Sequence, residues 1–295
     1  MRKSLLFIIF TSLLVTSCQK SIVWDDLVLT PPTPQPPPTG TNGSLLTKIV
    51  SLSTTDTLTI TYSYDSLKRL IKVATVGISR GDKVDKSQFF LRDTSGKMVQ
   101  YTEIEYSRNS TNALKYDTSY AKVHYPFGSS NFDYVIEFAN TSRTLISDSI
   151  AFTYTNNKVT QFKVFYGPLA TGGAGTLAAK SDFTYDASGN VISNKAYTYT
   201  NNVQTSSGEA TYGYDTKKSP LILGNEGFIT IGEYYSGPNN AISYTVVDKT
   251  GTNPTTVNIS YNINYNSNNY PAQAMGTATY TGLPNQTLQL TYFYQ

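Results

Sequence analysis

The chain is poor in the side chains that most often carry chemistry. Its 295 residues include one cysteine, one histidine and one tryptophan. A lone cysteine excludes an internal disulfide, and one cysteine with one histidine cannot supply the usual ligands of a zinc site. The histidine, His124, alternates with its neighbours as a strand residue does, so we expect it to have a structural role.

Charged residues are also scarce, at 15% of the chain against about a quarter in typical proteins. The 23 basic and 20 acidic residues give a formal net charge of +3. Because this is far from the basic excess that attracts phosphate backbones, we predict no nucleic-acid partner. Tyrosine is abundant instead, with 24 residues, which favours β-sheet over helix.

The amino terminus has the pattern of an export signal. Met1-Arg2-Lys3 precedes an apolar stretch from Leu5 to Val15, which is too short to span a bilayer of about 30 Å. The next residues are Thr16-Ser17-Cys18, and with Val15 they resemble the lipobox of bacterial lipoproteins. The resemblance implies removal of residues 1–17 and attachment of lipid to Cys18, which would anchor the chain to a membrane.

A proline-rich stretch follows the cysteine. Prolines recur between Thr30 and Gly43, where they remove backbone donors and favour the extended polyproline II conformation. At about 3.1 Å per residue, such a spacer could reach roughly 80 Å from the lipid surface. We therefore divide the chain into a signal peptide (1–17), a lipidated Pro/Thr-rich tether (18–43) and a folded domain (44–295).

The folded domain repeats one short unit, in which alternating aromatic and small polar residues lead into a turn that opens with Asp or Asn. Successive turns mostly fall about 30 residues apart, which fits two strands of about ten residues with their loops. Each unit is therefore predicted to be a hairpin. The copies are Tyr62–Leu70, Phe90–Met98, Phe152–Val159, Phe183–Val191, Tyr212–Leu221 and Ile263–Pro271, with Tyr125–Gly128 as a degraded seventh.

The predicted fold is all-β. A single hairpin is only marginally stable, so the units must pair in one long antiparallel meander. The meander must hide its edges, and we expect it to be strongly curved or closed into a barrel-like sheet of about 14 to 16 strands. The alternation in Thr59–Tyr64 predicts aromatic rings on one face of the sheet and hydroxyl groups on the other.

The lipobox, the Pro/Thr spacer and the Tyr-x-Tyr-Asp-x-x-x-x-Pro-Leu hairpin together resemble a group of Bacteroidota lipoproteins of unknown function with a porin-like β fold. Tyr212–Leu221 carries the hairpin motif in full, and the likeness covers residues 44–295. The turns are also similar to the tyrosine-aspartate repeats of Rhs-type shell proteins, which occupy far longer chains. The first resemblance implies a lipid-anchored protein of the outer membrane, and neither one supplies catalytic residues.

Carboxylates remain as candidates for chemistry. Glu103 and Glu105 lie one strand step apart on the same face, and Asp82 and Asp85 fall on a predicted loop. A glycosidase needs two acids roughly 5 to 10 Å apart, but solvated surface charges are the simpler interpretation of both pairs. Asp186–Asn190 is similar to the start of a calcium loop and lacks its twelfth-position acid. We therefore predict no metal site, no cofactor and no catalytic residues.

Two further patterns concern connections and surface modification. Gly167–Thr176 is glycine-rich, but no Gly-Lys-Ser/Thr follows to hold a phosphate, so we interpret it as a connection. Asp56–Leu58, Asp65–Leu67 and Asp148–Ile150 are similar to the Asp-Ser/Thr-apolar acceptor sites for O-glycans in the same bacterial group.

The leading functional hypothesis is a non-catalytic binding or scaffold module at the cell envelope, with a glycan or an envelope protein as its partner. Tyrosine suits this role because its ring has a flat apolar face and a polar tip. A membrane-embedded pore is the alternative, and a carboxylate-dependent glycosidase ranks third. The pore needs a lipid-facing apolar band, whereas the alternating segments offer Thr, Ser and Asn on one face. The ligand and the side of the membrane stay open.

Overall fold

The computed structural model describes residues 45–79, 81–108, 114–138, 142–167, 175–230 and 232–295. The predicted signal peptide, Cys18 and the tether lie outside these ranges. Within these ranges, sixteen antiparallel strands form one closed barrel, in which each strand pairs with its neighbours in sequence and the first pairs with the last. No helix in the described ranges has the length and apolar character that crossing a membrane requires.

The strands are β1 Leu46–Ser53, β2 Thr57–Tyr64, β3 Leu70–Ser79, β4 Asp82–Arg92, β5 Met98–Arg108, β6 Leu114–His124, β7 Tyr134–Phe138, β8 Ile146–Thr155, β9 Lys158–Tyr166, β10 Thr176–Tyr185, β11 Val191–Thr200, β12 Val203–Lys218, β13 Asn239–Asp248, β14 Thr255–Tyr265, β15 Pro271–Tyr280 and β16 Leu283–Tyr294.

Pairing of β1 with β16 closes the sheet. The ladder runs from Leu46 opposite Tyr294 to Ser53 opposite Leu288. Closure satisfies the backbone groups of what would otherwise be two edge strands. The predicted meander of hairpins is therefore confirmed, and the sheet is closed rather than merely curved.

The two ends of the barrel differ. The tyrosine-aspartate turns all lie at one end, which we call the turn end. Leu45 lies at this end too, because its N–H donates to the carbonyl of Gln295 at 3.4 Å and its carbonyl accepts the N–H of Gln295 at 3.0 Å. The opposite end, which we call the open end, carries the alternate connections. Among these, Asn201 and Asn202 adopt φ of 52° and 62°, as a two-residue hairpin turn of type I′ requires.

One prediction at the open end was wrong. Asp82 and Asp85 belong to β4 rather than to a loop. Gly81, at φ 86°, helps to turn the chain within a very short connection, because glycine has no Cβ to clash at positive φ. The strand consequently begins earlier than the polar residues suggested.

The repeated tyrosine has a structural role that explains the repeat. The hydroxyl of Tyr64 donates to the carbonyl of Leu46 at 2.8 Å, and that of Tyr185 donates to the carbonyl of Val159 at 2.6 Å. In each case, the last tyrosine of an even-numbered strand reaches the start of the preceding strand. Tyr214 and Tyr294 form the same bond. These four tyrosines therefore tie neighbouring strands together at the turn end.

Arg92 stands where the other copies have this tyrosine. Its Nε donates to the carbonyl of Leu70, at the start of β3, with a distance of 3.2 Å. The rest of the guanidinium is left for another partner, since arginine offers five donors. That partner is Glu226, at 2.8 and 2.7 Å.

Alternation separates the two faces of the wall as predicted. Tyr62 and the rings of Phe162 and Phe183 point inward and are buried, whereas Thr59 and Thr61 point outward. The largest buried cluster lies toward the turn end, where strands begin with buried apolar residues such as Leu46. Burying apolar surface stabilises a fold by about 25 cal/mol per Å², so this cluster is the main stabilising element.

Residues 219–238, which we call the plug, connect β12 to β13 and enter the barrel at the turn end. They contain two short 3₁₀ turns, Gly224–Ile229 and Glu233–Tyr235. The ring of Phe228 is buried and meets that of Phe183 edge to face, with centroids 4.8 Å apart. The sequence interpretation missed the plug, because it took Tyr212–Leu221 as a hairpin unit like the other copies.

Gly77 in β3 offers a test of the tight inner wall. Its φ is 149°, and a Cβ there would lie 1.9 Å from the carbonyl oxygen of Thr57. We expect Gly77→Ala to lower the free energy of unfolding by about 2 to 4 kcal/mol in urea titrations. Gly81→Ala, where a Cβ meets nothing within 4 Å, should cost only about 1 kcal/mol. Equal losses in the two variants would contradict this packing.

Candidate functional site

The candidate site is the lumen between the plug and the open end. Glu105 and Asp117 face each other across β5 and β6, and both lie on the inner face because Tyr101 and Ala121 in the same ladder are buried. Both acids are nevertheless exposed to solvent. These exposed side chains on the inner face lie at the mouth of the lumen, near the open end.

One wall of the lumen is acidic. β5 to β8 place five inward carboxylates there, and the register sets Glu105 opposite Asp117 and Glu137 opposite Asp148. The fifth is Glu103. Sequence analysis noted Glu103 and Glu105 as a pair on one face, which is confirmed, but it missed the other three acids because they come from separate strands.

Glu103 is buried, and its carboxylate has several partners. Its carboxylate lies 2.9 Å from Nζ of Lys86 and accepts a hydrogen bond from Nε2 of Gln88 at 3.0 Å. The hydroxyl of Tyr101 also donates to it. This carboxylate therefore has one cation and two hydrogen-bond donors as partners inside the wall.

Glu137 has the opposite character. It is 9% exposed and lies between Ala121 of β6 and Asp148 of β8. Burial raises its pKa to about 8, and the negative charges of Asp148 and Glu103 add to the effect. Glu137 therefore stays protonated over much of the neutral range and can donate a hydrogen bond.

The opposite wall is lined by tyrosines. Strands β13 to β16 lie across the barrel from β5 to β8 and contribute tyrosines on the inner face. β2, two strands from β16, contributes one more, and the plug adds two. Burial and neighbouring tyrosine hydroxyls raise the pKa of most of these side chains above the usual value, so they remain neutral donors. The tyrosines of this wall are Tyr62, Tyr234, Tyr235, Tyr244, Tyr261, Tyr280 and Tyr292.

The plug forms the floor of the lumen. Oε1 of Glu233 accepts a hydrogen bond from Nδ2 of Asn194 at 3.1 Å and another from the hydroxyl of Tyr212 at 2.8 Å. The rings of Tyr234 and Tyr235 lie 4.4 Å apart. These contacts attach the floor to the wall through polar groups, so the floor presents both rings and hydrogen-bonding groups.

This arrangement suits recognition of a hydroxyl-rich molecule. Tyrosine rings offer apolar faces, and carboxylates accept hydrogen bonds from hydroxyl or amino groups. A negatively charged ligand would be repelled by the acidic wall. Hydrolysis is less well served, because Glu103 is already saturated by its partners.

The histidine lies on the outside of the barrel. The ring of His124 stacks on that of Tyr134 with centroids 4.2 Å apart, and its Nδ1 lies 2.6 Å from Oδ1 of Asp133. These contacts give His124 a structural role at the start of the β6–β7 connection. In the described ranges, no three His, Cys, Asp or Glu side chains are grouped so as to hold a metal ion.

The calcium-like segment is an ordinary turn. Oδ1 of Asp186 accepts the backbone N–H groups of Gly189 and Asn190, and Oδ2 accepts Nδ2 of Asn190 at 2.8 Å. The segment borders an open groove of about 540 Å³ at the turn end, which Asp215 also lines. The carboxylate of Asp215 is likewise taken, by Asn240 and the hydroxyl of Tyr265.

The three proposed glycan-acceptor triplets differ in accessibility. Thr57 and Ser66 are exposed, whereas Ser149 is fully buried and its hydroxyl donates to the carbonyl of Gly167 at 2.9 Å. Ser149 is therefore inaccessible to a glycosyltransferase in the folded barrel. Most of the glycine-rich connection, residues 168–174, lies outside the described ranges.

No family model and no curated protein sequence matches the chain. Its fold is similar to the crystal structure of a porin-like protein from Bacteroides uniformis ATCC 8492, with a TM-score of 0.42, 9% identity, and coverage of 85% of this chain and 98% of that one. A porin-like protein from Bacteroides vulgatus ATCC 8482 gives a TM-score of 0.41 at 10% identity, with coverage of 85% of this chain and 98% of that one. The Photorhabdus luminescens Tc holotoxin pore gives a TM-score of 0.28 at 10% identity, with coverage of 74% of this chain and 12% of that one.

Proposed function

We propose that the protein is a lipid-anchored, non-catalytic binding module of the bacterial cell envelope, attached to the outer membrane through Cys18. Its ligand is a neutral or cationic glycan that enters the lumen from the open end. The observation that carries this proposal is the asymmetry of the barrel: a plug closes the end where the chain enters, and acids and tyrosines line the lumen above it.

The pore alternative is less well supported. The outer wall, which would face lipid, carries charged side chains in the middle of strands. Lys163, Lys180 and Lys195 all point outward, as their pairing partners in the neighbouring strands do. Asn258 and Ser260 in β14 also point outward. A lipid-facing wall would lose about 2 to 4 kcal/mol for each lysine near the bilayer midplane. The plug also occupies the lumen that a pore would need.

A glycan-binding experiment tests the proposed ligand class. Calorimetry with neutral hexose oligomers, glucosamine oligomers and polyuronate oligomers should detect binding of the first or second class and none of the third. Replacing two lumen carboxylates, as Glu105→Gln with Asp117→Asn, should weaken binding at least tenfold, because a hydrogen bond to a charged group contributes about 1.5 to 3 kcal/mol net and about 1.4 kcal/mol is a factor of ten. Glu209→Gln on the outer wall serves as the matched control.

Two results would overturn the glycan proposal. One is the absence of binding to all three classes. The other is equal binding of polyuronates, since the acidic wall should repel them.

The anchoring proposal has its own test. Metabolic labelling with a fatty-acid analogue should label the wild-type protein, and Cys18→Ala should abolish the label and release most of the protein from membranes. An unlabelled wild-type chain would contradict lipidation without bearing on the lumen.

A further inference from the structure

Glu137 is a buried acid without a partner in the chain. It is 9% exposed, and the register places it between Ala121 of β6 and Asp148 of β8 on the inner face of the wall. Within the described part of the chain, its carboxyl group makes no hydrogen bond and no ion pair. Because buried polar groups are nearly always hydrogen-bonded, an inward carboxyl group without a partner indicates one that comes from outside the chain.

The carboxyl oxygens of Glu137 keep some contact with the lumen. The fully enclosed polar atoms that lack a partner in the described ranges belong to Tyr154, Asn194 and Ser236. The oxygens of Glu137 are not among these enclosed atoms. Glu137 is the last residue but one of β7 and Asp148 is the third of β8, so both lie near the open end, from which a ligand would enter.

The charges that surround Glu137 are mostly negative. On β8, Asp148 lies directly opposite, and on β5 the charge of Glu103 acts on it as well. Tyr101 lies on β5 at the same level, and Lys86 of β4 pairs with Glu103 at 2.9 Å. β6 presents the uncharged side chains Ser119, Ala121 and Val123.

This part of the wall has more acids than bases. β5 to β8 carry five inward carboxylates, and the bases that share the wall are Lys86 and, by its register position opposite Ser107, Lys115. Burial raises the pKa of Glu137 to about 8, and the charges of Asp148 and Glu103 add to the effect. A cation bound beside Glu137 would lower that pKa and displace the proton.

A primary ammonium group fits this position. It offers three N–H donors and one positive charge, which suit two facing side chains whose Cβ atoms lie about 5 Å apart across the strands. A metal ion fits less well, since no three His, Cys, Asp or Glu side chains of the described ranges are grouped to hold one. On a hydroxyl-rich ligand, a primary ammonium group is that of an amino sugar.

We propose that the ligand of the lumen contains an unacetylated amino sugar, whose ammonium group binds between Glu137 and Asp148. This inference rests on the proposed glycan function and narrows it. On binding, the ammonium N–H groups donate to both carboxylates and the carboxyl proton of Glu137 leaves to solvent, so one proton is released for each bound amino group. A neutral sugar hydroxyl would instead accept a hydrogen bond from Glu137 and release no proton.

Calorimetry counts this proton. The protein is the chain from residue 18 with Cys18→Ser, titrated with glucosamine oligomers at about pH 6.5 in two buffers of different ionisation enthalpy. About one proton should be released per bound ligand, and affinity should rise about tenfold from pH 6 to pH 7, because a proton on Glu137 competes with the ammonium group. N-acetylglucosamine oligomers, which lack the charge, should bind about tenfold more weakly and release no proton.

Two variants locate the group that loses the proton. Glu137→Gln should release none and lose the pH dependence of binding. Glu105→Gln, at an exposed position of the same wall, should still release about one. Proton release that persists in Glu137→Gln would contradict the inference.

The ligand series separates this inference from the proposed function. If N-acetylglucosamine or neutral hexose oligomers bind as tightly as glucosamine oligomers, and no ligand releases a proton, the amino-sugar inference fails and the glycan function stands. If no oligomer of any class binds, both fail.

Discussion

Raising the pH from about 5 to about 8 is expected to destabilise the protein by about 3 to 5 kcal/mol through one carboxyl group, Glu137. Its pKa of about 8 in the folded protein exceeds the ordinary value of 4.5. Between these values the folded state holds a proton that the unfolded state has lost, so stability falls as pH rises, and the loss levels off about one unit above pH 8. Urea titrations at several pH values measure the slope.

Two variants isolate the contribution of Glu137. Glu137→Gln keeps the shape and removes the ionisation, so it should flatten the slope and be more stable than the wild type at pH 8. Glu105→Gln, at an exposed position of the same wall, should keep the wild-type slope. An undiminished slope in Glu137→Gln would show that another group is responsible.

Replacing Arg92 should loosen the plug more than it disturbs the wall. Arg92 bonds to Leu70 as the repeat tyrosine does and also holds Glu226 of the plug. In Arg92→Met, these interactions and the bond from Nη1 to the carbonyl of Gly96 are lost. Glu226 is left half-buried without its cation, which should cost about 3 to 5 kcal/mol. Arg92→Tyr restores the residue type of the repeat, so its loss should be smaller.

Amide hydrogen exchange distinguishes the two effects. In Arg92→Tyr, exchange should speed up in residues 219–238 while the β3 and β4 ladders keep wild-type protection. Arg92→Met combined with Glu226→Met should recover much of the stability lost in Arg92→Met, because no buried charge is left unpaired. Faster exchange throughout the barrel in Arg92→Tyr would mean that the plug and the wall are one cooperative unit.

Local patterns predicted the wall because its interactions are local. Alternation sets which face of the sheet each residue occupies, and Asn156 and Asn157 adopt φ of 51° and 61° in the two-residue turn that their sequence favours. Strand pairing between neighbours in sequence then leaves little freedom except closure. The sequence bounded the number of strands but could not show that β1 and β16 meet.

The lumen could not be predicted in the same way, because its properties come from side chains far apart in the chain. Glu137 is unusual only because burial and the charges of Glu103 and Asp148 act on it together. The plug replaced a turn in the one repeat copy that carried its motif in full, and nothing in Pro220–Leu221 distinguished an insertion from a strand. The arginine at position 92, in place of the repeat tyrosine, was the available signal that this wall position had a second partner.

Closure of the barrel is the claim on which the lumen, the plug and the two ends all depend. Val50 and Thr291 face each other across β1 and β16, and Ser260 lies on the outer face of β14, two strands further. In the Cys18→Ser background, Val50→Cys with Thr291→Cys should form an intramolecular disulfide on mild oxidation, seen as faster migration of the monomer on non-reducing electrophoresis. Val50→Cys with Ser260→Cys should not. If the first pair yields only intermolecular dimers, the two ends of the sheet do not meet and the molecule has no enclosed lumen.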